Sequence, residues 1–240
     1  MKFTCGGNGP RNRHLNGKGT LVATLVDLQK KQTQLIRKIQ AASIFYAPIA
    51  TAIPAQFTAG ASADLTALPA GWDDIGLVTK DDAYTWTRDV NMSETTSHGY
   101  VDPTRRDITA NVSSLAFTAQ ETKLRTLEVY HNIDLTGVTP TATTGEVTFN
   151  DPLTPGTRYH RVIAIGQDGA GTGTIYVIRV IPRAILSEPG EQAWSDEDEL
   201  VYPMTMTATP DSTLGYSIRY VFGGPGWKSQ LVAMGFPAAA

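Results

Sequence analysis

Apolar residues near the start of the chain follow a helical rhythm. Leu21, Leu25, Leu28, Leu35, Ile39 and Ala42 recur in alternating steps of four and three, with Gln32 the one polar member of the series. That period places them on one helix face with heptad spacing, and Thr20 is a suitable cap. Lys30, Lys31, Arg37 and Lys38 fall largely off the stripe. A lone amphipathic helix is marginal in water, so the stripe calls for a partner surface, either its own domain or a neighbouring subunit. The preceding residues 1–19 are rich in Gly, Asn and Arg, including Gly6-Gly7-Asn8-Gly9-Pro10, and predict a flexible or partner-ordered arm.

The period then changes to two. Ser43-Ile44-Phe45-Tyr46-Ala47 predicts a strand closed by Pro48, and the Ala/Thr/Pro-rich stretch 50–70 predicts a long connection. Strands are expected near 75–79, 83–90, 93–101 and 106–117. Tyr84 and Trp86 alternate with Thr85 and Thr87, as on a half-buried strand. In the fourth strand Ile108, Ala110 and Val112 share a parity that Leu115 and Phe117 break. A bulge near Ser113-Ser114 or a change of buried face would account for the switch. Thr118 and Glu121 have capping-box spacing ahead of Leu124, Leu127 and His131, which predicts one internal helix ending near Asn132. Further strands are expected near 145–149, 158–166, 173–182, 199–209 and 216–222. Gln167-Asp168-Gly169-Ala170-Gly171-Thr172 is a hairpin signal between two of them. Tyr176, Ile178 and Val180 alternate with Ile175, Val177 and Ile181, so both faces of that strand are apolar and should be covered.

Charge adds an asymmetry. Residues 1–40 hold eight Lys/Arg against one Asp, a net +7, whereas residues 41–240 hold twelve Lys/Arg against twenty-two Asp/Glu, a net −10. A basic arm on an acidic body suits binding to other copies of the chain or to an anionic partner through the arm. The overall charge of −3 argues against generic nucleic-acid binding. No apolar run has the length of a membrane span, no secretory signal is convincing, and folding in a cytoplasm is expected.

Candidate chemistry is thin. Cys5 is the single cysteine, which rules out an intramolecular disulfide, and His14, His98, His131 and His160 lack metal-ligand spacing. Gly169, Gly171 and Gly173 lead into a strand and not into the helix that a phosphate loop needs. Asp196-Glu197-Asp198-Glu199 lacks the glycine and distal glutamate of a calcium loop and reads as a solvated turn. Asp73-Asp74 and Asp81-Asp82 show no pocket that would separate their pKa values. Arg105-Arg106 after Asp102-Pro103 reads as an interface ion pair or a solvated turn. No catalytic, cofactor-binding or metal-binding residue is therefore assigned, and a non-enzymatic protein is expected.

The order of features carries a resemblance. Leu68-Pro69-Ala70-Gly71-Trp72-Asp73-Asp74-Ile75-Gly76, followed by the acidic turn Lys80-Asp81-Asp82, resembles the start of the first sheet in siphophage tail tube proteins. The helix start Thr118-Ala119-Gln120-Glu121-Thr122-Lys123 is similar to the single helix of that family. Ile181-Pro182-Arg183-Ala184, Glu188-Pro189-Gly190-Glu191 and Met206-Thr207-Ala208-Thr209-Pro210-Asp211 resemble its final strands. The likeness covers residues 41–222; the first forty residues depart from the family's usual short start.

The resemblance implies a mainly β fold, a two-sheet β-sandwich or partial barrel with one flanking helix, here with an N-terminal helical extension, and a fold shared with type VI secretion tube proteins. The expected domains are a basic arm and helix (1–40), a β-sandwich (41–225) and a C-terminal tail (226–240). It further implies homo-hexameric rings stacked into a virion tail tube, assembled in the host cytoplasm, in which the connection 50–70 is long enough to reach a neighbouring ring or subunit. Tape measure, tail terminator and distal tail or baseplate proteins would be the partners, without membrane insertion. Double-stranded DNA would pass through transiently without specific binding, along an inner wall expected to be acidic because positive charge would hold phosphates. A β-sandwich decoration or carbohydrate-binding module is the alternative; the scatter of Trp72, Trp86, Trp194 and Trp227 along the chain disfavours it.

Overall fold

A computed structural model describes residues 24–80 and 83–239 of the chain. It divides into two units, Met1–Arg37 and Lys38–Ala240. In the first unit the long helix predicted from Leu21 to Ala42 is replaced by one helical turn, α1 (Leu25–Leu28), and a 3-10 turn at Thr33–Leu35. Thr24 caps α1, and Asp27 returns a bond to the Thr24 backbone, so a capping box forms four residues beyond the expected cap. Leu25, Val26, Leu28 and Ile36 are 68–75% exposed. With these apolar residues exposed among the described residues, the segment has too little burial to sustain more than a turn. The arm before Thr24, with Leu21, Cys5 and His14, lies outside the described residues.

The second unit begins with β1 (Ala41–Pro48), which takes Ala42 out of the predicted helix and pairs it with Gly166. The remaining strands are β2 (Thr58–Ala59), β3 (Asp64–Leu65), β4 (Asp73–Asp74), β5 (Thr85–Thr95), β6 (Arg105–Ala119), β7 (His160–Asp168), β8 (Ile175–Pro189), β9 (Tyr202–Ala208) and β10 (Arg219–Gly223). Two short helices accompany them, α2 (Leu124–Tyr130) and α3 (Pro225–Gln230). The main sheet is antiparallel in the order β4-β1-β7-β8-β9-β6-β5, with β10 on β8; β2 and β3 form a separate two-stranded sheet. The expected mainly β class is what the chain adopts, with the large sheet left open and not closed into a barrel.

β8 organises the sheet. Its first half pairs with β10 through Tyr176–Val180, and its second half pairs with β9 through Ala184–Pro189. The ladder to β7 slips where Pro182 and Arg183 oppose Arg161, a bulge that accommodates a residue with no N–H to donate. β8 has a core against each face, as its two apolar parities predict, with the face beside Val177 and Arg179 only partly covered. Ile181 joins Ile44, Tyr46, Val162, Leu115, Phe117, Met204 and Met206 in one core, with Val129 of α2. Ile178 and Val180 join Ile163 and Phe57 in a second core on the other face.

The cover of that second core is the connection 50–70. Its length suggested a reach to another subunit. Instead it folds back on its own sheet, burying Phe57 to 1% exposure, with Ile53, Leu68 and Trp72 alongside. Trp72 Nε1 donates to the Ala52 carbonyl at 3.1 Å, and Arg219 Nη2 donates to that of Ala55 at 2.6 Å. The apolar residues spaced through the connection supply the drive, and the polar contacts fix its path.

Four further expectations differ. The strand expected near 75–79 is replaced by an isolated bridge between Val78 and Ala119. Thr118 lies in β6, and α2 starts after Lys123 without a side-chain cap. Glu121 turns the other way and accepts the Leu77 N–H at 2.8 Å. Gly76 permits this, since its φ is +95° and a Cβ there would stand 2.5 Å from the Glu121 carboxylate. Residues 145–149 form no strand, and Val147 is half exposed. The bulge of β6 sits at Thr109, since Asn91 pairs with Ala110 and Met92 with Ile108, and not near Ser113-Ser114; the switch of parity is the change of buried face, with Ile108 and Val112 exposed and Leu115 and Phe117 buried.

Candidate assembly surface

Where two strands were expected across 83–101, one strand runs unbroken through Thr95. The chain reverses at 96–104, where Gly99 has a φ of +84° and Thr104 N–H donates to the Thr95 carbonyl at 2.8 Å. β5 and β6 therefore form a ribbon that outruns the body. From Thr87 through Val112 every residue is exposed except the half-buried Pro103 and Ala110, whereas Leu115, Phe117 and Ala119 at the root enter the core.

The ribbon shows apolar residues to solvent. Met92 and Ile108 pair across the strands at 57% and 66% exposure, and Val90 and Val112 are also exposed. The bulge at Thr109 is what brings Ile108 to the Met92 side. Among the described residues β5 has no partner on its outer edge. A two-stranded ribbon is marginal alone, and a long free edge is a template for pairing with another chain. The ribbon strands carry Arg88, Arg105 and Arg106 against Asp89, Glu94 and Asp107. Arg106 meets Glu94 at 2.8 Å and Arg105 meets Asp107 at 2.7 Å, so the basic pair noted in the sequence is engaged in exposed ion pairs. The ribbon is thus balanced in charge, not acidic.

At the far end of β6 a charged cluster ties α2 to the sheet. Glu128, 3% exposed, accepts from Arg125 and lies 3.7 Å from Arg158. Arg125 also grips Asp73 at 2.7 Å, and Arg158 lies 3.5 Å from Asp134. The Asp73-Asp74 pair is therefore a docking point for α2: Asp74 lies 4.0 Å from Lys123. His160 is buried beside this cluster, and among the described residues its Nε2 has no partner. Burial, and then the charges of Arg158 and Arg125, push its pKa down to about 4 from 6.5. The unfolded chain then binds a proton that the folded chain refuses, so this contribution to stability is lost as pH falls from about 6.5 towards 4. Denaturant midpoints should decline over that window in the wild type by more than in His160→Gln; parallel profiles would rule the effect out.

The other residues singled out in the sequence stay apart. Gly169 and Gly171, with φ of +74° and +57°, form the β7–β8 turn. His131 stacks edge-on between Tyr130 and Phe149. Asp196–Glu199 is an exposed loop in which Glu199 accepts from Gln120. Asp81 and Asp82 lie outside the described residues. Among the described residues no group of His, Cys, Asp or Glu is placed to hold a metal, and no helix is long and apolar enough to cross a membrane. Trp72 is in the second core, Trp86 lies against Arg179, Trp194 is 90% exposed and Trp227 stacks on Phe222. The ribbon was missed as a unit because an exposed strand with mixed polarity gives no burial period.

A β-rich body with an unsatisfied ribbon defines a subunit built to associate. Comparison with known proteins gives the kind of assembly: the chain matches the phage tail tube protein family over residues 31–218 and belongs to it. It is a structural protein of the tail tube, located in the virion and working as one of many subunits. A chain from the virion of a native gene transfer agent particle is similar at 11% identity and a TM-score of 0.34, covering 64% of this chain and 92% of that one. No curated protein matches.

Proposed function

We propose that six copies close a ring through their β5–β6 ribbons, and that the rings stack into a conduit for DNA during ejection. The observation that supports this most is the free edge of β5: joining ribbons side by side around a ring pairs every edge and leaves none exposed. The inner wall then consists of strands in which Arg105 and Arg106 already face carboxylates and Arg88 bonds the Asn111 amide oxygen, which limits the attraction for phosphate. The tube assembles in the host cytoplasm around the tape measure protein, between the tail terminator and the distal tail or baseplate proteins. Mass measurement and class averages of the purified assembly test the ring: six-fold symmetry is expected. Monodisperse monomers with glycan affinity would instead support a carbohydrate-binding or decoration module.

The N-terminal unit acts as a strap between subunits in this reading. It carries most of the net +7 of residues 1–40 and an uncovered Leu25, Val26, Leu28 and Ile36. Deleting residues 1–37 should leave the β-body folded but make tubes dissociate more readily, with the largest difference from wild type at low salt, where charge attraction is least screened. Equal tube stability across salt concentrations would exclude the strap.

A further inference from the structure

On the face of β8 that carries Arg179, the sheet is only partly covered. A cleft of about 790 Å³ opens there. Its floor is made of small residues, Ala42, Ala164 and Gly166, with Val177 and Arg179 beside them. The Arg179 guanidinium is held between two rings, 4.5 Å from the centre of Trp86 and 5.5 Å from that of Tyr220. Such contacts fix a guanidinium while leaving its N–H groups free to donate. Among the described residues it has no carboxylate partner. The cleft's own acids are otherwise engaged: Glu121 bonds Lys123 at 2.7 Å, and Asp74 lies 4.0 Å from the same lysine.

The tip of the ribbon has the opposite shape. Tyr100 is 71% exposed and Val101 fully so, and Asp102 follows them. The tip is braced by the Tyr100 N–H to Ser97 carbonyl bond at 3.2 Å and by the 2.8 Å contact between the Ser97 and Thr104 hydroxyls. It is therefore an ordered projection with two apolar side chains and one carboxylate. Trp86, at the root of the same ribbon, forms part of the cleft wall. Tip and cleft thus lie at opposite ends of one ribbon, roughly 35 Å apart for an eleven-residue strand.

We infer that the Tyr100-Val101-Asp102 tip of one copy docks in the Arg179 cleft of the next copy along the stack, with Asp102 accepting from Arg179. This deepens the tube reading and rests on it: the sides of the ribbons join copies within a ring, and the tips join successive rings. One carboxylate suits the Arg179 guanidinium, and Lys38 and Lys80, which also line the cleft, add to its attraction for an acid. Because donor and acceptor surfaces differ, the contact is head-to-tail and propagates.

Cross-linking tests it in the full chain. In a Cys5→Ser background, Val101→Cys and Ala42→Cys are placed together, and assembled tubes are treated with a short bismaleimide. The expected result is a ladder of multimers on a denaturing gel, absent from either single variant. Tubes that form but yield only monomer, or only dimer, overturn the docking and leave the tube reading standing. A ladder from Trp194→Cys with Ala42→Cys, in place of the first pair, assigns the cleft to the acidic loop and also overturns it. A wild-type chain that forms no tubes overturns both readings. Asp102→Arg should weaken stacking, and adding Arg179→Glu should recover it; independent, additive losses would count against the pairing.

Discussion

Replacing residues 90–111 with Asn-Gly, so that Asp89 and Val112 flank a two-residue turn, is expected to give a folded monomer that makes no tubes. Asp89 and Val112 are already cross-strand partners, and Asn-Gly favours the turn that joins such a pair. The body keeps what holds it together, since Leu115, Phe117 and Ala119 lie beyond the cut and Trp86 stays on Arg179. What is removed is exposed: Val90, Met92 and Ile108 with the outer length of the β5 edge. A melting temperature within a few degrees of wild type, together with complete loss of polymer by light scattering, is the expected outcome. Normal tubes would show that the ribbon is not the assembly element, and an unfolded product would show that it belongs to the core.

The second large effect concerns the body. Glu128→Ala should destabilise it by about 1–3 kcal/mol, because the change removes the buried acid that two partly buried arginines share. Glu128 is the acid shared by Arg125 and Arg158, and its side chain is 4% exposed. Arg125 retains Asp73, and Arg158 retains only the more exposed Asp134. Urea unfolding with an unchanged slope measures the loss. A change under about 1 kcal/mol would place the cluster with ordinary surface pairs.

Much of the body was legible because burial leaves a period. The β7–β8 hairpin announced itself in Gly169-Ala170-Gly171, and the two-faced apolar run of β8 matched its place between two cores. Where burial is absent or comes from a distant segment, local pattern misleads. The heptad stripe from Leu21 to Ala42 promised a helix, but among the described residues Leu25 and Leu28 stay exposed, and Ala42 gained more from pairing with β7. Thr118 and Glu121 had the spacing of a helix cap; the β6–β9 ladder took the first and the Leu77 N–H took the second. Val147 and Phe149 alternate without a neighbouring strand to pair with. The connection 50–70 seemed free to leave the domain, yet Phe57 has a pocket of its own between Ile163 and Ile178.

The assembly surface was the least legible part. Its residues are selected for a neighbour that a single chain does not contain, so Met92 and Ile108 lie on a strand that looks solvated. Family likeness supplied the tube, and the ribbon supplies a physical means of building it.

A cryo-electron microscopy reconstruction of the assembled tube tests that means most directly. Six copies per ring are expected, with the outer edge of β5 hydrogen-bonded to a neighbouring copy and the ribbons facing the channel. Ribbons that point outward into solvent with β5 unpaired would contradict it.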